Sequence, residues 1–334
     1  MTPRLAALLA AALLVCTGPG AMASGLDLRW ASVKTNMQNP VVRADGTVLD
    51  PRGPAFRAVL DRGKLTLEPD DELAAPETRP DMLPDGVLVK GRRNIHAAWL
   101  TGPTDRYGHG VLGDAIEAGG VAVELKNGVV QRYDLPQDSV FEDRFPRLAD
   151  VDGDGLHEVV LVRSYLDAGA AVMVLRSGPG GLKPLAESAA IGLANRWLNP
   201  VGVADFDGDG RPEIAVVETP HIGGILRLHG LSGTGLPVEL RKDGFSNHAM
   251  GSSDLGLSAI TDANGDGRPD MVVPDASRRA LRVITIRGGE LEQIALAPLP
   301  RPLASNIAAI DLDGNGRDDI LFALEGGHLT ALLF

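Results

Sequence analysis

Apolar runs that alternate with acidic, glycine-rich loops dominate the second half of the chain. The clearest copy, residues 204–217 (ADFDGDGRPEIAVV), has an apolar approach, a nine-residue acidic loop and an apolar exit. Three further copies lie at residues 149–162, 261–274 and 310–323, and their first acids are separated by 55, 57 and 49 residues. A pattern that recurs at this period indicates an array of similar structural units.

The acidic loops place oxygen-bearing side chains at alternate positions. In the second copy Asp205, Asp207 and Asp209 occupy positions 1, 3 and 5, and Glu213 occupies position 9. Glycines at positions 4 and 6 let the backbone turn back on itself, which a residue with a Cβ does only under strain. Oxygen ligands in this order suit a hard cation such as Ca²⁺, which takes six to eight oxygens.

The same positions define a candidate ligand set in every copy, with the backbone carbonyl of position 7 included. The sets are Asp150, Asp152, Asp154, Leu156 and Glu158; Asp205, Asp207, Asp209, Arg211 and Glu213; Asp262, Asn264, Asp266, Arg268 and Asp270; Asp311, Asp313, Asn315, Arg317 and Asp319. We therefore expect up to four Ca²⁺ ions. The first two loops carry four carboxylates and the last two carry three, so we expect tighter binding in the first two.

Three other interpretations of these loops compete. The absence of sulfur and histidine from the ligand positions argues against zinc or copper. An EF-hand needs a bidentate Glu at position 12 between two helices, but position 12 is Leu161, Val216, Val273 and Phe322, within runs typical of strands. The loops therefore join two strands. Solvated Asp-Gly turns without a metal remain the alternative.

At these residues the chain resembles the FG-GAP/VCBS repeats of integrin-α-like β-propellers, and the resemblance covers residues 141–334. The resemblance implies an all-β fold, a single β-propeller of four-stranded blades with calcium in the loop between the first and second strands of a blade. Chain length then gives about six blades, with seven remaining open. The resemblance implies little about a ligand, because one fold hosts many functions.

The first 23 residues resemble a signal peptide: a positive start, a short apolar run and Ala21-Met22-Ala23 before Ser24. We expect cleavage there and export to the periplasm or medium. Cys16 is the only cysteine, in a poor lipoprotein context, so the mature chain has no disulfide. A net charge of −12 argues against nucleic acid as a partner, and no later stretch is apolar enough to span a membrane.

The mature domain, residues 24–334, divides into degenerate blades at 24–140 and four clear repeats at 141–334. Short strands are expected at 26–34, 54–60 and 64–69, followed by a proline-rich loop. Residues 95–100 are expected to be the first strand of a degenerate blade, with residues 101–118 in the place of its calcium loop. A helix over residues 185–197 is a weak expectation. The last blade ends one strand short, and residues 26–34 could supply that strand and remove the free edge.

Function is expected on the side opposite the acidic loops, in the polar loops that lead into each first strand (the leading loops). Convergent polar and aromatic groups at a channel mouth favour a ligand site. The candidate residues are Asp143, Arg144, Arg196, Trp197, Asn199, Asn247, His248 and Asp254. The simpler interpretation is that these loops are polar because they are exposed.

Two functions follow. The first is an exported, monomeric module that binds a protein or a glycan. The second is a periplasmic hydrolase or lyase that uses Arg144, Arg196, His248 and Asp254. The chain contains no G-x-S-x-G, H-E-x-x-H or Walker motif, so the binding module is favoured and no catalytic residue is assigned. A purely structural role is a third, weaker possibility.

Overall fold

The computed structural model describes residues 26–70 and 76–334, and the predicted signal peptide with Cys16 lies outside these ranges. The described residues contain β-strands, turns and loops and no helix, so the weak expectation of a helix over residues 185–197 is wrong. In the described residues no helix has the length and hydropathy needed to cross a bilayer.

Twenty-five strands form in the described residues. The strands of the first half are β1 (Arg29–Lys34), β2 (Val41–Val42), β3 (Thr47–Leu49), β4 (Ala55–Asp61), β5 (Lys64–Pro69), β6 (Val89–Lys90), β7 (Ile95–Thr104), β8 (Glu117–Leu125), β9 (Val130–Asp134), β10 (Ser139–Phe141), β11 (Arg147–Ala149) and β12 (Glu158–Tyr165). The strands of the second half are β13 (Gly169–Gly178), β14 (Gly181–Glu187), β15 (Leu198–Ala204), β16 (Glu213–Glu218), β17 (Ile225–His229), β18 (Val238–Asp243), β19 (Ala259–Thr261), β20 (Asp270–Pro274), β21 (Ala280–Arg287), β22 (Glu290–Pro298), β23 (Ala308–Ile310), β24 (Asp319–Leu324) and β25 (His328–Leu333).

These strands form antiparallel four-stranded units. Four separate sheets have the orders β2-β3-β4-β5, β15-β16-β17-β18, β19-β20-β21-β22 and β1-β25-β24-β23. The fifth sheet has nine strands and contains two further units, β6-β7-β8-β9 and β11-β12-β13-β14, which β10 bridges by pairing with β8 and β12. In each of the four clear repeats the acidic loop connects the first strand to the second, as the sequence predicts.

The N-terminal strand completes the last unit. β1 pairs antiparallel with β25 over its whole length, with Arg29 opposite Leu333 and Lys34 opposite His328. The predicted closure is confirmed, and it covers the edge that β25 would otherwise expose. The two ends of the described chain are thereby held in one sheet.

The core lies between neighbouring sheets. Five hydrophobic clusters each combine residues of two units, for example Phe206 and Val217 of the β15–β18 unit with Met271 and Ile284 of the β19–β22 unit. The second strands β12, β16, β20 and β24 are almost entirely buried. A strand covered on both faces is apolar at successive positions and does not alternate, which explains the continuous runs that follow each acidic loop.

The degenerate unit differs from its prediction. Residues 95–100 belong to β7, which is the second strand of its unit, because β6 precedes it and pairs with it. The connection between first and second strands is therefore only residues 91–94, too short for a nine-residue acidic loop. Residues 105–116 connect β7 to β8 and lie at the opposite end of the sheet, which brings this loop to the leading loops instead of the acidic ones.

Candidate functional site

The four acidic loops share one hydrogen-bonding scheme. The first Asp accepts the N–H of the position-6 glycine in every copy, at 2.8–3.0 Å between oxygen and nitrogen. The position-3 side chain accepts the N–H of position 5, and the position-5 side chain accepts the N–H of position 7. All eight loop glycines have φ between 74° and 89°, the left-handed region that favours glycine.

The position-9 carboxylate fixes the start of each loop. Glu158, Glu213, Asp270 and Asp319 are buried at the beginning of the second strands. Each accepts the N–H of the position-2 residue, at 2.9–3.2 Å. Burial and the neighbouring acids raise the pKa of Glu158 and of Glu213 to about 7. Each loop thus holds several carboxylates close together at a cost in free energy that a bound cation would offset.

The second loop fits a hard cation best. Carboxylate oxygens of Asp205, Asp207, Asp209 and Glu213 all lie within 4.8 Å of one another. Three carboxylates converge in the same way in the first loop, and three in the fourth. In the first loop Oδ1 of Asp150 and Oε1 of Glu158 are buried without a hydrogen-bond partner. Orphaned buried oxygens of this kind are expected where a ligand belongs, so the donor sets fit Ca²⁺.

The first loop contains an arginine that the others lack. Arg176 of β13 reaches Asp152, and its Nε lies 3.6 Å from Oε1 of Glu158. The strand register places Arg176 opposite Glu158, whereas Gly230, Thr285 and Leu333 take the corresponding places in the other repeats. The guanidinium of Arg176 would therefore compete with a cation for the carboxylates of this loop. The number of carboxylates in the sequence does not reveal this competition.

Neighbouring acidic loops are joined through their position-7 arginines. Arg317 donates to the backbone carbonyl of Ala263 at 2.6 Å, and Arg268 approaches that of Asp207 at 3.5 Å. Arg93, in the short connection of the degenerate unit, donates to the carbonyl of Gly155 at 2.6 Å. These contacts place the acidic loops of successive units on one side of the molecule.

The predicted ligand residues lie at the opposite ends of the sheets, and several of them join the leading loops. Asn199 and Asn247 are fully buried, and each donates its amide N–H to the backbone carbonyl of the other, at 3.0 and 3.1 Å. Asp143 is fully buried and forms an ion pair with Arg147 at 2.6 Å. These side chains are buried, so exposure does not explain why these loops are polar.

Arg144 and Asp254 remain partly accessible. Arg144 forms an ion pair with Asp85 and donates to the carbonyl of Ser253 at 2.7 Å, which ties two leading loops together. Burial raises the pKa of Asp254 despite the opposing charge of Arg144. A cavity of about 280 Å³ is lined by the first strands β11 and β15 and by the leading loop before β19, with Ala149, Val203 and Ser258 in its wall.

The other three predicted residues meet at a second cavity. Arg196 and Trp197 line a pocket of about 160 Å³ together with His109, His221 and four further residues. His248 supports it from behind: its ring packs on the edge of Trp197 at 4.8 Å between centroids, and its Nδ1 lies 2.8 Å from Nε2 of His221. Burial lowers the pKa of both His221 and His248 to about 4, so both rings are neutral at pH 7.

Sequence reasoning missed the acids behind this pocket. Glu142, fully buried, accepts from His109 Nδ1 at 2.6 Å and from the Ser164 hydroxyl at 2.5 Å, and its backbone carbonyl accepts the indole N–H of Trp197. Glu117 is 2% exposed, beside Glu142 across β8 and β10. Burial and the charges of nearby acids, Glu142 first, raise the pKa of Glu117 to about 9. The sequence would have pointed to Glu142 and Glu117 only if residues 105–116 had been assigned to the same side of the molecule as the leading loops.

Comparisons with known proteins identify the repeats. The FG-GAP-like repeat profile matches residues 150–216 and 262–322. These two segments therefore match FG-GAP-like repeats, and the resemblance drawn from the acidic loops is confirmed. No curated protein shows significant similarity to the chain.

Two solved structures align with the chain at low identity. The crystal structure of rhamnogalacturonan lyase YesW matches with a TM-score of 0.40 and 14% identity, over 88% of this chain and 60% of the lyase. Exotype rhamnogalacturonan lyase YesX matches with a TM-score of 0.39 and 14% identity, over 80% of this chain and 61% of that one. The chain thus spans about 60% of the length of these proteins.

Proposed function

We propose that this chain is an exported, calcium-binding β-propeller of six four-stranded blades that binds a protein or a glycan through the side opposite its metal loops. The six units, the completion of the last by β1 and the five clusters, each shared by two neighbouring units, support this arrangement of successive blades. The first strands β11 and β15 in the wall of one cavity support it further, since first strands line the channel of a propeller.

The calcium part rests on the second loop, where four carboxylates converge without a competing arginine. Asp205, Asp207, Asp209 and Glu213 would hold the ion, with the carbonyl of Arg211 as an added ligand. Bound calcium would offset part of the negative charge of the loop and lock the first strand to the second. The first and fourth loops, in each of which three carboxylates converge, would bind calcium in the same way. The first loop would bind it more weakly because of Arg176.

The observation that carries the binding role is the polar pocket among the leading loops. Buried hydrogen bonds between leading loops, such as those of Asn199 and Asn247, make that side rigid. A preorganised polar and aromatic surface loses little entropy on binding. The pocket, with Arg196 and Trp197 in its wall, is a concave place for a ligand on this side.

An enzyme is the second candidate, and one observation favours it. Glu117 and Glu142 are neighbouring buried acids in unlike surroundings. Burial raises the pKa of both, but hydrogen bonds with His109 and Ser164 oppose the rise at Glu142 and none opposes it at Glu117. Pairs of this kind serve as acid and base in many enzymes. Glu117 does not line either cavity, however, so the acid would not reach a ligand in the pocket. Binding therefore has the stronger support.

Thermal melts of residues 24–334 in calcium, in magnesium and with a chelator test the metal-locked fold. We expect a rise in melting temperature specific to calcium, and equal melting temperatures in all three would refute it. Binding to immobilised glycans and to candidate proteins, with Arg196→Ala as the variant, tests the second part. We expect Arg196→Ala to weaken binding and to leave the melting temperature unchanged. A fall in melting temperature would show that Arg196 is structural.

A further inference from the structure

The pocket at His109 and His221 presents two imidazole nitrogens whose lone pairs are free. His109 donates its Nδ1–H to the buried carboxylate of Glu142, at 2.6 Å. A neutral imidazole that donates from one nitrogen accepts at the other. In neutral His109, Nε2 is therefore the acceptor, and no partner for it is seen in the part of the chain that the structure describes.

A hydrogen-bond chain orients the second histidine. Nε2 of His248 donates to the backbone carbonyl of Ser252 at 2.9 Å, so Nδ1 of His248 accepts. Nε2 of His221, 2.8 Å away, must then be the donor to it. This leaves Nδ1 of His221 as an acceptor, again without a partner among the described residues. Burial keeps both rings neutral, with pKa values of about 4.

The two histidines that carry these acceptors, His109 and His221, line one small cavity with mixed walls. The pocket holds about 160 Å³, and Arg196 brings a donor to it. Ile222 and Met250 are 61% and 62% exposed at its rim. Large apolar side chains this exposed beside a polar pocket are typical of a binding site. A ligand that fits must offer hydrogen-bond donors to the imidazoles and an apolar surface to the rim.

A metal ion is the less favoured occupant. The groups of three or more His, Cys, Asp or Glu side chains that could share one ion all lie in the acidic loops, within the described residues. The polar floor here has two imidazoles and a guanidinium, and the guanidinium would repel a cation. A ring with several hydroxyl groups has donors at its edge, acceptors for arginine and apolar C–H faces for Ile222 and Met250.

We propose that this pocket binds one sugar ring of a glycan, whose hydroxyl groups donate to Nε2 of His109 and Nδ1 of His221 while Arg196 donates to a ring or hydroxyl oxygen. The proposal rests on the function proposed above and names its ligand class and contact atoms. Trp197 and His221 have parallel rings, with centroids 6.1 Å apart. This packing holds His221 in place and makes Trp197 fluorescence a reporter of occupancy.

Two variants replace the ring by an amide that keeps the supporting hydrogen bond and removes the acceptor that the proposal uses. In His109→Asn the amide nitrogen takes the place of Nδ1 and keeps the bond to Glu142, while the Nε2 acceptor is lost. In His221→Gln the amide nitrogen takes the place of Nε2 and keeps the bond to His248, while the Nδ1 acceptor is lost. His96→Gln changes an exposed histidine outside the pocket and is the matched control.

The probes are methyl glycosides of neutral hexoses, pentoses, deoxyhexoses and hexuronates at millimolar concentration. Binding is followed by saturation-transfer NMR and by Trp197 fluorescence. We expect at least one probe to bind, and each pocket variant to weaken it about tenfold, the loss typical of one hydrogen bond. We expect His96→Gln to bind like the unmodified chain.

Two results would overturn the proposal. If a glycoside binds with unchanged affinity to both pocket variants, the sugar site lies elsewhere, although a glycan-binding function survives. If no glycoside binds to the folded, calcium-loaded protein, the pocket is not a sugar site, and the proposed function then depends on a protein partner. Failure of the calcium-specific melt would instead refute the proposed function itself.

Discussion

Glu117 offers the sharpest test of the electrostatics on the pocket side. Its carboxyl group is 2% exposed and has no hydrogen bond or ion pair within the described residues, and its pKa is raised to about 9 by burial and by the charges of Glu142, Asp114, Asp85 and Asp143. The ordinary value is 4.5. Between pH 4.5 and pH 9 the folded protein keeps a proton that the unfolded chain releases. Stability must therefore fall as pH rises through this window.

The magnitude follows from the size of the shift. Each pH unit between the two pKa values costs about 1.4 kcal/mol, so at pH 7 the protonated Glu117 lowers the free energy of unfolding by about 3 kcal/mol. Glutamine has the shape of the protonated acid and no proton to lose. Glu117→Gln should therefore be more stable than the unmodified chain by about 3 kcal/mol at pH 7 and about equal at pH 4.5.

Urea unfolding at pH 4.5, 6, 7 and 8, at one saturating calcium concentration, measures the effect. Glu290→Gln, at an exposed position at the start of β22, is the control and should show no such pH-dependent gain. Equal stabilities of Glu117→Gln and the unmodified chain at pH 7 would refute the reasoning. So would a loss of stability in the variant at every pH, because the carboxyl group would then have partners that the structure does not show.

Three further predictions concern the loops and the histidines. Asp207→Ala should lower the free energy of unfolding by about 3 kcal/mol in excess calcium, which is the stabilisation that a ligand at one hundred times its Kd provides. In chelator the same substitution should have little effect, and equal losses in both conditions would exclude a metal at this loop. Arg176→Met should bind one more calcium ion, or bind it about tenfold more tightly, in isothermal titration calorimetry, because the competing guanidinium is gone, and Arg287→Met on an exposed part of β21 is the control. The pKa values of His221 and His248 are lowered to about 4, so between pH 6.5 and pH 4 only the unfolded chain takes up protons at these histidines. The free energy of unfolding should therefore fall as pH is lowered through this window, and it should fall less steeply in His221→Gln. The same pH dependence in His221→Gln and in the unmodified chain would contradict this prediction.

The acidic loops show what local sequence can determine. Their candidate ligands, their glycines and the strands on either side lie within about fourteen consecutive residues, and the hydrogen bonds that shape each loop join residues no more than seven positions apart. Local spacing therefore specifies the turn, and repetition specifies the array. The same reasoning placed the second strands and the closing strand β1 correctly.

The pocket side was decided by tertiary structure. His109 meets Glu142 across 33 positions, His221 meets His248 across 27, and Asn199 meets Asn247 across 48. These pairs depend on which loops share a side of the molecule, and one mistaken strand in the degenerate unit placed residues 101–118 on the wrong side. The position of Arg176 likewise depends on tertiary structure, because only the strand register puts its guanidinium opposite Glu158. The sequence alone determined the repeating loops, because their interactions are local; the fold alone determined the pocket and the competing arginine, because contacts between distant residues depend on how the sheets pack.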